Sequence, residues 1–295
     1  MSAFLQQIVN GLVLGGVYAV FALGFSLVMA NLRVFYVAHA AVFTWGAIFA
    51  WQLIEWGWAA YPALAAAVVL TGLLNVVGYY VLIRPLENRK NKELAAFMSS
   101  VGGLIVLTDL GAMHLQQTSV RLPFGLVPAH TWEFKGVQLS SIYLIMLVAA
   151  TVIFLFLQWL MERTAMGRAI RAVAFDRSLA GMLGIRVDRV TAFVFVLSGA
   201  LAAVAAILVA IAFNVVNSTM GSSYMTLAIA VLVIGGFGSV KGAFLGRLFV
   251  GLVSTLSIGY ISSGFSDVIV YGTLIIFLLV RPTGIVRVAD ILGRA

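Results

Sequence analysis

The sequence predicts an all-α, polytopic membrane protein. Hydrophobic residues make up 63% of its 295 residues and charged residues only 9%, whereas soluble domains carry about 25% charged residues. Apolar runs of about 20 residues recur along the chain, and this is the length that a helix needs to cross the hydrocarbon core of a bilayer. The polar side chains are too few to cover a water-soluble globule, so a lipid bilayer is the expected environment.

Nine apolar runs are predicted to form transmembrane helices. The first is expected to be a retained span, because no basic residue precedes Arg33 and the run is longer than a signal-peptide core. The second, seventh and ninth runs are short or interrupted, and membrane helices can be broken where protein or water satisfies the backbone. We therefore expect about eight to ten spans, some of them short or broken. The nine runs are residues 4–30, 34–54, 60–83, 94–115, 140–160, 190–213, 224–239, 243–262 and 267–281.

Glycines within these runs favour close packing of helices. Gly11 and Gly15 are four residues apart, and Gly238, Gly242 and Gly246 continue the same spacing near the C-terminus. Small residues four apart lie on one face of a helix and allow a second backbone to approach it. We therefore predict close helix contacts at both places.

Lysine and arginine predict the orientation of the chain. The short connections on one side hold most of these residues and should be cytoplasmic; they are 84–93, 162–190, 239–247 and the tail after 281. The facing connections, 55–62, 116–140 and 262–267, carry only Arg121 and Lys135. The C-terminus is then cytoplasmic, and an odd number of spans places the N-terminus outside. The net charge of +8 does not indicate nucleic-acid binding, because these residues form no continuous patch.

The connection 162–190 contains six arginines and three acidic residues. Its apolar residues recur at helical spacing in two groups, which predicts two short amphipathic helices. Asp176 or Ser178 can cap the second helix and Gly184 can end it. Such a helix pair suits either an anionic lipid surface or the groove of a cytoplasmic partner. The two apolar groups are Ala169, Ile170, Val173 and Ala174, then Leu179, Met182, Leu183 and Ile185.

Catalytic and cofactor sites are not predicted. The chain has no cysteine, and its histidines, His39, His114 and His130, have no carboxylate or serine at a catalytic or metal-binding spacing. It contains no phosphate-binding GxxxxGK[ST] loop, so ATP is not bound in that way. The run "GGFGSVKG" (235–242) departs from the spacing of a dinucleotide-binding turn. We therefore expect no covalent chemistry, no metal and no cofactor.

Five segments in order resemble the LivH/LivM-type permeases, the membrane subunits of branched-chain amino-acid ABC importers. The short N-terminus is more similar to the LivH branch. The resemblance implies an ABC importer permease fold, a single permease domain over 1–295, and a place in a bacterial inner membrane. The segments are "NGLVLGGVYAVFALGFSLV" from Asn10, "VAH" from Val37, "GRAIRAVAFDRSLAGMLGIRVDRV" from Gly167, "GGFGSVKGAFLGRLFVGL" from Gly235 and "VRPTGIV" from Val280.

The resemblance also implies partners. Within the domain, the loop 161–189 corresponds to the segment that couples the permease to its ATPase subunits, which favours docking over lipid binding. The implied assembly contains two ATPase subunits, a periplasmic solute-binding protein and a second permease subunit, identical or paralogous. The residues expected at the ATPase contact are Arg171, Asp176, Ala180, Gly184 and Ile185.

The sequence departs from the family where solute recognition is concerned. Ala40 and Ala41 follow His39 where relatives commonly have glycine and an acid, so an acid that could meet a solute ammonium is missing. Asp109 stands in the fourth predicted span, where an ionisable side chain usually faces a cavity or a partner. We expect His39 and Asp109 to line a shared wet cavity. The candidates for the translocation path are His39, Asp109, Asn10 and Ser99.

Three alternatives to amino-acid import remain open at this stage. The same class of importer could carry urea, short amides or small carboxylates such as aromatic acids. The chain could act alone as a secondary transporter or channel. It could also be a membrane anchor for a signalling partner that moves no solute.

Overall fold

The computed structural model describes residues 2–87, 89–122, 130–134, 137–236, 240–281 and 284–285. Within these ranges the chain forms eleven α-helices and one β-hairpin. The helices are α1 (Ser2–Leu32), α2 (His39–Glu55), α3 (Ala60–Gly78), α4 (Lys92–His114), α5 (Ser141–Arg163), α6 (Ala165–Phe175), α7 (Arg177–Met182), α8 (Val187–Phe213), α9 (Met220–Gly235), α10 (Val240–Tyr260) and α11 (Ser266–Val280).

The all-α fold class is confirmed, and each predicted span corresponds to one helix. Among the described residues, five helical segments are long and apolar enough to cross a membrane, and they lie in α1, α3, α4, α5 and α8. Three shorter apolar segments lie in α9, α10 and α11. The second span is shorter than expected because α2 begins only at His39, after a turn in which Arg33, the residue that follows α1, has a left-handed φ of 56°.

Beyond Gly78, where α3 ends, the chain remains helical but is no longer α-helical. Residues Tyr79–Ile83 form a π-helical segment and Arg84–Leu86 a 3-10 turn. The apolar helical segment therefore reaches from Ala60 to Leu86. A π-helical turn inside a helix often marks a functional position, and this one leads directly to Glu87.

The connection between α4 and α5 contains a β-hairpin that the sequence analysis does not anticipate. Strands β1 (Thr131–Phe134) and β2 (Val137–Ser140) pair antiparallel. The side chain of Gln6 extends this pairing, because its Nε2 donates to the Gln138 carbonyl at 3.0 Å and its Oε1 accepts from the Gln138 amide at 2.7 Å. The hairpin and the N-terminal end of α1 are thereby held together.

Two compact units are formed by segments that alternate along the chain. The first contains residues 1–23, 124–155 and 224–295, and the second contains residues 24–123 and 156–223. In the first unit, α1 and α10 cross where glycines remove the side chains: a Cβ on Gly11 would lie 2.9 Å from the Gly251 carbonyl, and one on Gly15 would collide with the Arg247 carbonyl. The close approach predicted from the spacing of Gly11 and Gly15 is therefore present.

The glycines predicted near the C-terminus also belong to the first unit. Gly246 of α10 lies against α9, where a Cβ would collide with the carbonyl of Val231. Gly242 is buried, and Gly238 lies outside the described residues. Arg247, which the sequence analysis places in a cytoplasmic connection, lies within α10 and is buried.

Helix α8 forms the centre of the second unit, where it packs against α2 and α3. Small residues bring the backbones together: a Cβ on Gly46 would lie 2.6 Å from Ala203, and one on Gly199 would lie 2.8 Å from the Thr71 carbonyl. Asn75 of α3 donates to the Phe195 carbonyl at 2.8 Å. Lipid provides no hydrophobic force between helices, so such close contacts and interhelical hydrogen bonds hold the unit together.

Replacement of Gly199 by alanine tests this packing. We expect a loss of about 1–3 kcal/mol of stability, because the new methyl must displace the backbone of α3, and a lower thermal unfolding temperature in detergent. Gly102→Ala is the matched control, since nothing lies within 4 Å of its Cβ position and alanine is the better helix former. Equal unfolding temperatures for the two variants would contradict the packing role of Gly199.

Candidate functional site

The connection between α5 and α8 forms the expected pair of short helices. Thr164 caps α6, because its Oγ1 accepts from the Gly167 amide at 3.0 Å. Ile170 and Val173 on one face of α6 are buried, whereas Arg168 on another face is exposed. This division agrees with the amphipathic pattern of the sequence.

Helix α7 has a defined cap at each end. The Asp176 carboxylate accepts from the amides of Ser178 and Leu179 at 2.8 and 3.0 Å, so Asp176 and not Ser178 is the N-cap. At the other end Gly184 has a φ of +83°. Its amide donates to Gly181, and the Ile185 amide donates to Ala180, which is a Schellman motif.

The surface of this helix pair is apolar where it faces water. Leu179 is 51% exposed, and Met182 and Leu183 are each 80% exposed. Ala180, on the opposite side of α7, is only 2% exposed. A contiguous group of large apolar side chains on a charged connection is typical of a protein-docking surface.

Arg33 fastens the end of α6 to the end of α1. Its guanidinium donates to the carbonyls of Phe175 at 2.8 Å and Ala174 at 3.4 Å. Carbonyls at a helix C-terminus lack partners within the helix and carry partial negative charge, so a cation there is stabilising. The left-handed backbone of Arg33 is part of the turn that follows α1.

Arg177 fastens the beginning of α7 to the segment after α3. Its guanidinium lies 3.0 Å from Glu87 Oε1, and both side chains are about one-quarter exposed. The Tyr79 hydroxyl donates to the same oxygen at 3.2 Å. We call Arg33, Glu87 and Arg177 the clamp, because together they hold the junction of α6 and α7 from two sides.

The clamp was not found by sequence reasoning. Arg33 lies 142 residues before the carbonyl that it binds, and Glu87 lies 90 residues before Arg177. Arg33 gives a local signal, an isolated charge next to the end of an apolar run, whereas Glu87 and Arg177 lie within the charged connections 84–93 and 162–190. Of the expected contact residues, Asp176 and Gly184 define the ends of α7 and Ala180 is buried, while Arg171 and Ile185 are half-buried.

His39 lies at the start of α2, inside the second unit. Its side chain is fully buried, its Nδ1 is 3.4 Å from Ser198 Oγ, and its ring lies 6.1 Å from that of Phe25. Val42, in the same turn of α2, is also buried. Ala40 and Ala41 are buried as well, and the Ala40 carbonyl is in close contact with Gly221.

Asp109 lies on the exposed face of α4. The opposite face is held to α2, because Trp45 Nε1 donates to the Leu107 carbonyl at 2.9 Å. Asp109 and His39 therefore have different surroundings, and a cavity shared by both stays a prediction. Exposed apolar residues surround Asp109 on this face: Met98, Ile105, Val106, Leu110 and Met113.

The other two path candidates also lie in helices. Asn10 Oδ1 accepts from Gln6 Nε2 at 3.0 Å within α1. Ser99 is half-buried on α4, but its neighbour Ser100 is the residue that joins elements, since its hydroxyl accepts from the Val37 amide at 3.2 Å and donates to the Phe97 carbonyl at 2.7 Å. Across the described residues, no group of three or more His, Asp or Glu side chains could hold a metal ion.

An all-α polytopic chain that holds an exposed amphipathic helix pair between its spans has the organisation of a membrane transport subunit. Residues 7–279 match the family described as "Branched-chain amino acid transport system / permease component". The chain belongs to this family.

Relatives at 32% identity agree with this assignment. The chain is 32% identical over 295 residues to the high-affinity branched-chain amino acid transport system permease protein LivH of Escherichia coli K12, covering 96% of this chain and 95% of the relative. It is 32% identical over 297 residues to BraD of Pseudomonas aeruginosa, with the same coverage. An inward-facing metal-chelate type ABC transporter is 16% identical with a TM-score of 0.50, over 93% of this chain and 85% of that chain, and shows the same fold.

The ion pair of the clamp can be tested by exchanging its charges. Glu87→Arg or Arg177→Glu alone should accelerate amide hydrogen exchange in residues 177–183 about fivefold, since each loses about 1 kcal/mol and opposes like charges. The double variant Glu87→Arg/Arg177→Glu should restore slow hydrogen exchange. The exposed pair Arg84 and Asp188, 3.2 Å apart, is the control. Reversing the charges of this pair should have little effect on the rate of hydrogen exchange. Fast exchange in the Glu87→Arg/Arg177→Glu double variant would contradict a direct pairing.

Proposed function

We propose that the chain is the permease subunit of an ATP-driven importer and passes a branched-chain amino acid inward by alternating access. Family membership and the branched-chain amino acid transport for which the relatives at 32% identity are named support the solute class. The structural observation that carries the proposal is the clamped helix pair, which presents apolar side chains outward while the junction of its two helices is fixed to the end of α1 and to the segment after α3.

The helix pair is the proposed contact with the ATPase subunits. Leu179, Met182 and Leu183 provide an apolar face of the kind that seats in a partner's groove. Of the residues expected at this contact, Asp176 and Gly184 determine where α7 begins and ends. Ala180 is buried and supports the helix from behind, so the neighbouring large side chains make the contact.

The arrangement of the basic connections supports the proposed orientation. Two ion pairs join the basic connections 84–93 and 162–190. Glu87 pairs with Arg177, and Arg84 pairs with Asp188. Both connections therefore lie at the same side of the second unit, as the positive-inside rule requires of two cytoplasmic connections. We place the chain in the bacterial inner membrane with its C-terminus in the cytoplasm.

The exposed face of α4 is the proposed border of the translocation path. A carboxylate such as Asp109 is costly to place against lipid, so this face must meet water or protein. Gly102 on the same face has nothing within 4 Å of its Cβ position, which leaves room for a partner or a solute. A second permease subunit, identical or paralogous, completes the path, and Asn10, Ser99 and His39 remain candidates along it.

The missing acid after His39 is compatible with amino-acid transport. Ala40 and Ala41 are both about 1% exposed, so an acid at either position would be buried in the helix packing and would not reach a solute in an open path. The solute ammonium must then be recognised elsewhere, and Asp109 is the acid that α4 offers.

Reconstitution tests the proposed function. Liposomes containing the permease pair and two ATPase subunits, supplied with the binding protein, should take up leucine only with ATP. Uptake without the ATPase subunits would identify a stand-alone transporter or channel. Uptake of urea or benzoate in place of leucine would assign another solute to the same class of importer, and an assembled complex that moves none of these would indicate an anchor.

Asp109 is tested in the same preparation. Asp109→Asn should lower leucine uptake per assembled complex, and Asp109→Leu should lower it by about tenfold or more, since a charge-assisted hydrogen bond contributes about 1.5–3 kcal/mol. Met113→Leu, on the same exposed face, is the matched control and should transport normally. Normal uptake per complex in both Asp109 variants would remove this residue from the path.

A further inference from the structure

A cavity of about 430 Å³ lies beside the clamp. It opens to the surface and is lined by the end of α1, by Ile83, Glu87, Lys92, Glu93 and Ala96, and by the junction of α6 and α7. Its volume falls within the range of about 300–1,000 Å³ that is usual for small-molecule sites. Asn31 lies in its wall and is only 1% exposed, whereas Arg33, Lys92 and Glu93 around it are exposed.

Asn31 leaves a hydrogen-bond donor unused in the wall of this cavity. Its Oδ1 accepts from Thr191 Oγ1 at 3.0 Å, but its Nδ2 is buried and has no acceptor in the part of the chain that the structure describes. A buried donor without a partner costs about 1–3 kcal/mol. An acceptor oxygen on a bound molecule would remove that cost.

Charges of both signs surround the cavity in equal number. Four are already engaged: Arg33 on the carbonyls of α6, Asp176 on the amides of α7, and Arg177 with Glu87. Lys92 and Glu93 form no ion pair with any described residue. A simple anion would meet three carboxylates here and a simple cation would meet three cations, whereas a zwitterion can satisfy both signs. The lining cations are Arg33, Lys92 and Arg177, and the lining acids are Glu87, Glu93 and Asp176.

The remainder of the wall, apart from Phe175 and Ser178, is aliphatic. These residues offer a surface to a short branched hydrocarbon side chain, which gains from leaving water. An α-amino acid with such a side chain combines a carboxylate, an ammonium group and an aliphatic group in one small molecule. The aliphatic lining consists of Leu32, Val34, Ile83, Ala96 and Val173.

We propose that this cavity beside the clamp binds a free branched-chain α-amino acid. The carboxylate is received by Asn31 and Lys92, the ammonium by Glu93, and the side chain by the aliphatic wall. This site is separate from the translocation path. The identity of its ligand, the imported solute itself, rests on the proposed function. Because the cavity lies between the clamped junction and α1, its occupant ties the two together and slows any movement of the helix pair.

Binding is measured on the assembled importer in nanodiscs of phosphatidylcholine and phosphatidylglycerol, which carry no ethanolamine headgroup. The probes are leucine, 4-methylpentanoate, which lacks the ammonium group, and 3-methylbutylamine, which lacks the carboxylate. Leucine should bind and raise the thermal unfolding temperature, and the other two should not at the same concentration. Equal binding of the anion or the amine would overturn the zwitterion site.

Variants separate this site from the translocation path. Lys92→Gln and Glu93→Gln change exposed side chains and should each weaken leucine binding about tenfold, whereas Lys90→Gln, outside the cavity, should not. Leucine loaded inside liposomes should slow uptake in the native importer and in Lys90→Gln, but less in Lys92→Gln. Native sensitivity to internal leucine in Lys92→Gln overturns the proposal.

The two proposals fail in different ways. Uptake of leucine with no effect of the Lys92 and Glu93 substitutions on binding rejects the cavity site and leaves the proposed function intact. Absence of leucine uptake together with leucine binding that depends on Lys92 rejects the proposed function and leaves the cavity site intact.

Discussion

Close approach of helix backbones around α8 is the constraint on which the second unit depends. Neighbouring helices reach α8 at positions without side chains or with small ones, such as Gly24 and Gly46 facing Ser198 and Ala203. In a membrane this contact replaces the hydrophobic force that assembles soluble proteins. The burial of His39 follows from this packing, because its Nδ1 lies 3.4 Å from Ser198 Oγ of α8.

Most of the fold could be predicted because its determinants are local. An apolar run of sufficient length specifies a span without reference to any other part of the chain. The caps of α6 and α7 are equally local, since Asp176 and Gly184 act within three residues of the groups that they satisfy. The hairpin of residues 131–140 was missed because its strands, TWEF and VQLS, alternate polar and apolar residues over only four positions each, which is too short a run to distinguish them from a loop.

The candidate site was predicted less well because its contacts are distant in sequence. Periodicity correctly identified the helix pair but said nothing of Arg33 or Glu87, whose partners depend on how the spans pack. Polarity identified His39 and Asp109 as unusual in membrane helices, but polarity alone does not tell which way a side chain points. The structure shows one of them inside the helix packing and the other outside it.

The π-helical segment Tyr79–Ile83 has a consequence for how the gene can vary in length. A π-helical turn holds an extra residue while the helix on either side keeps its direction. Loss of one codon within this segment would return it to ordinary α-helix with Glu87 still directed at Arg177. The same loss elsewhere in α3 would rotate all that follows by about 100° and separate the pair. The π-helical segment is thus where this helix tolerates a deletion.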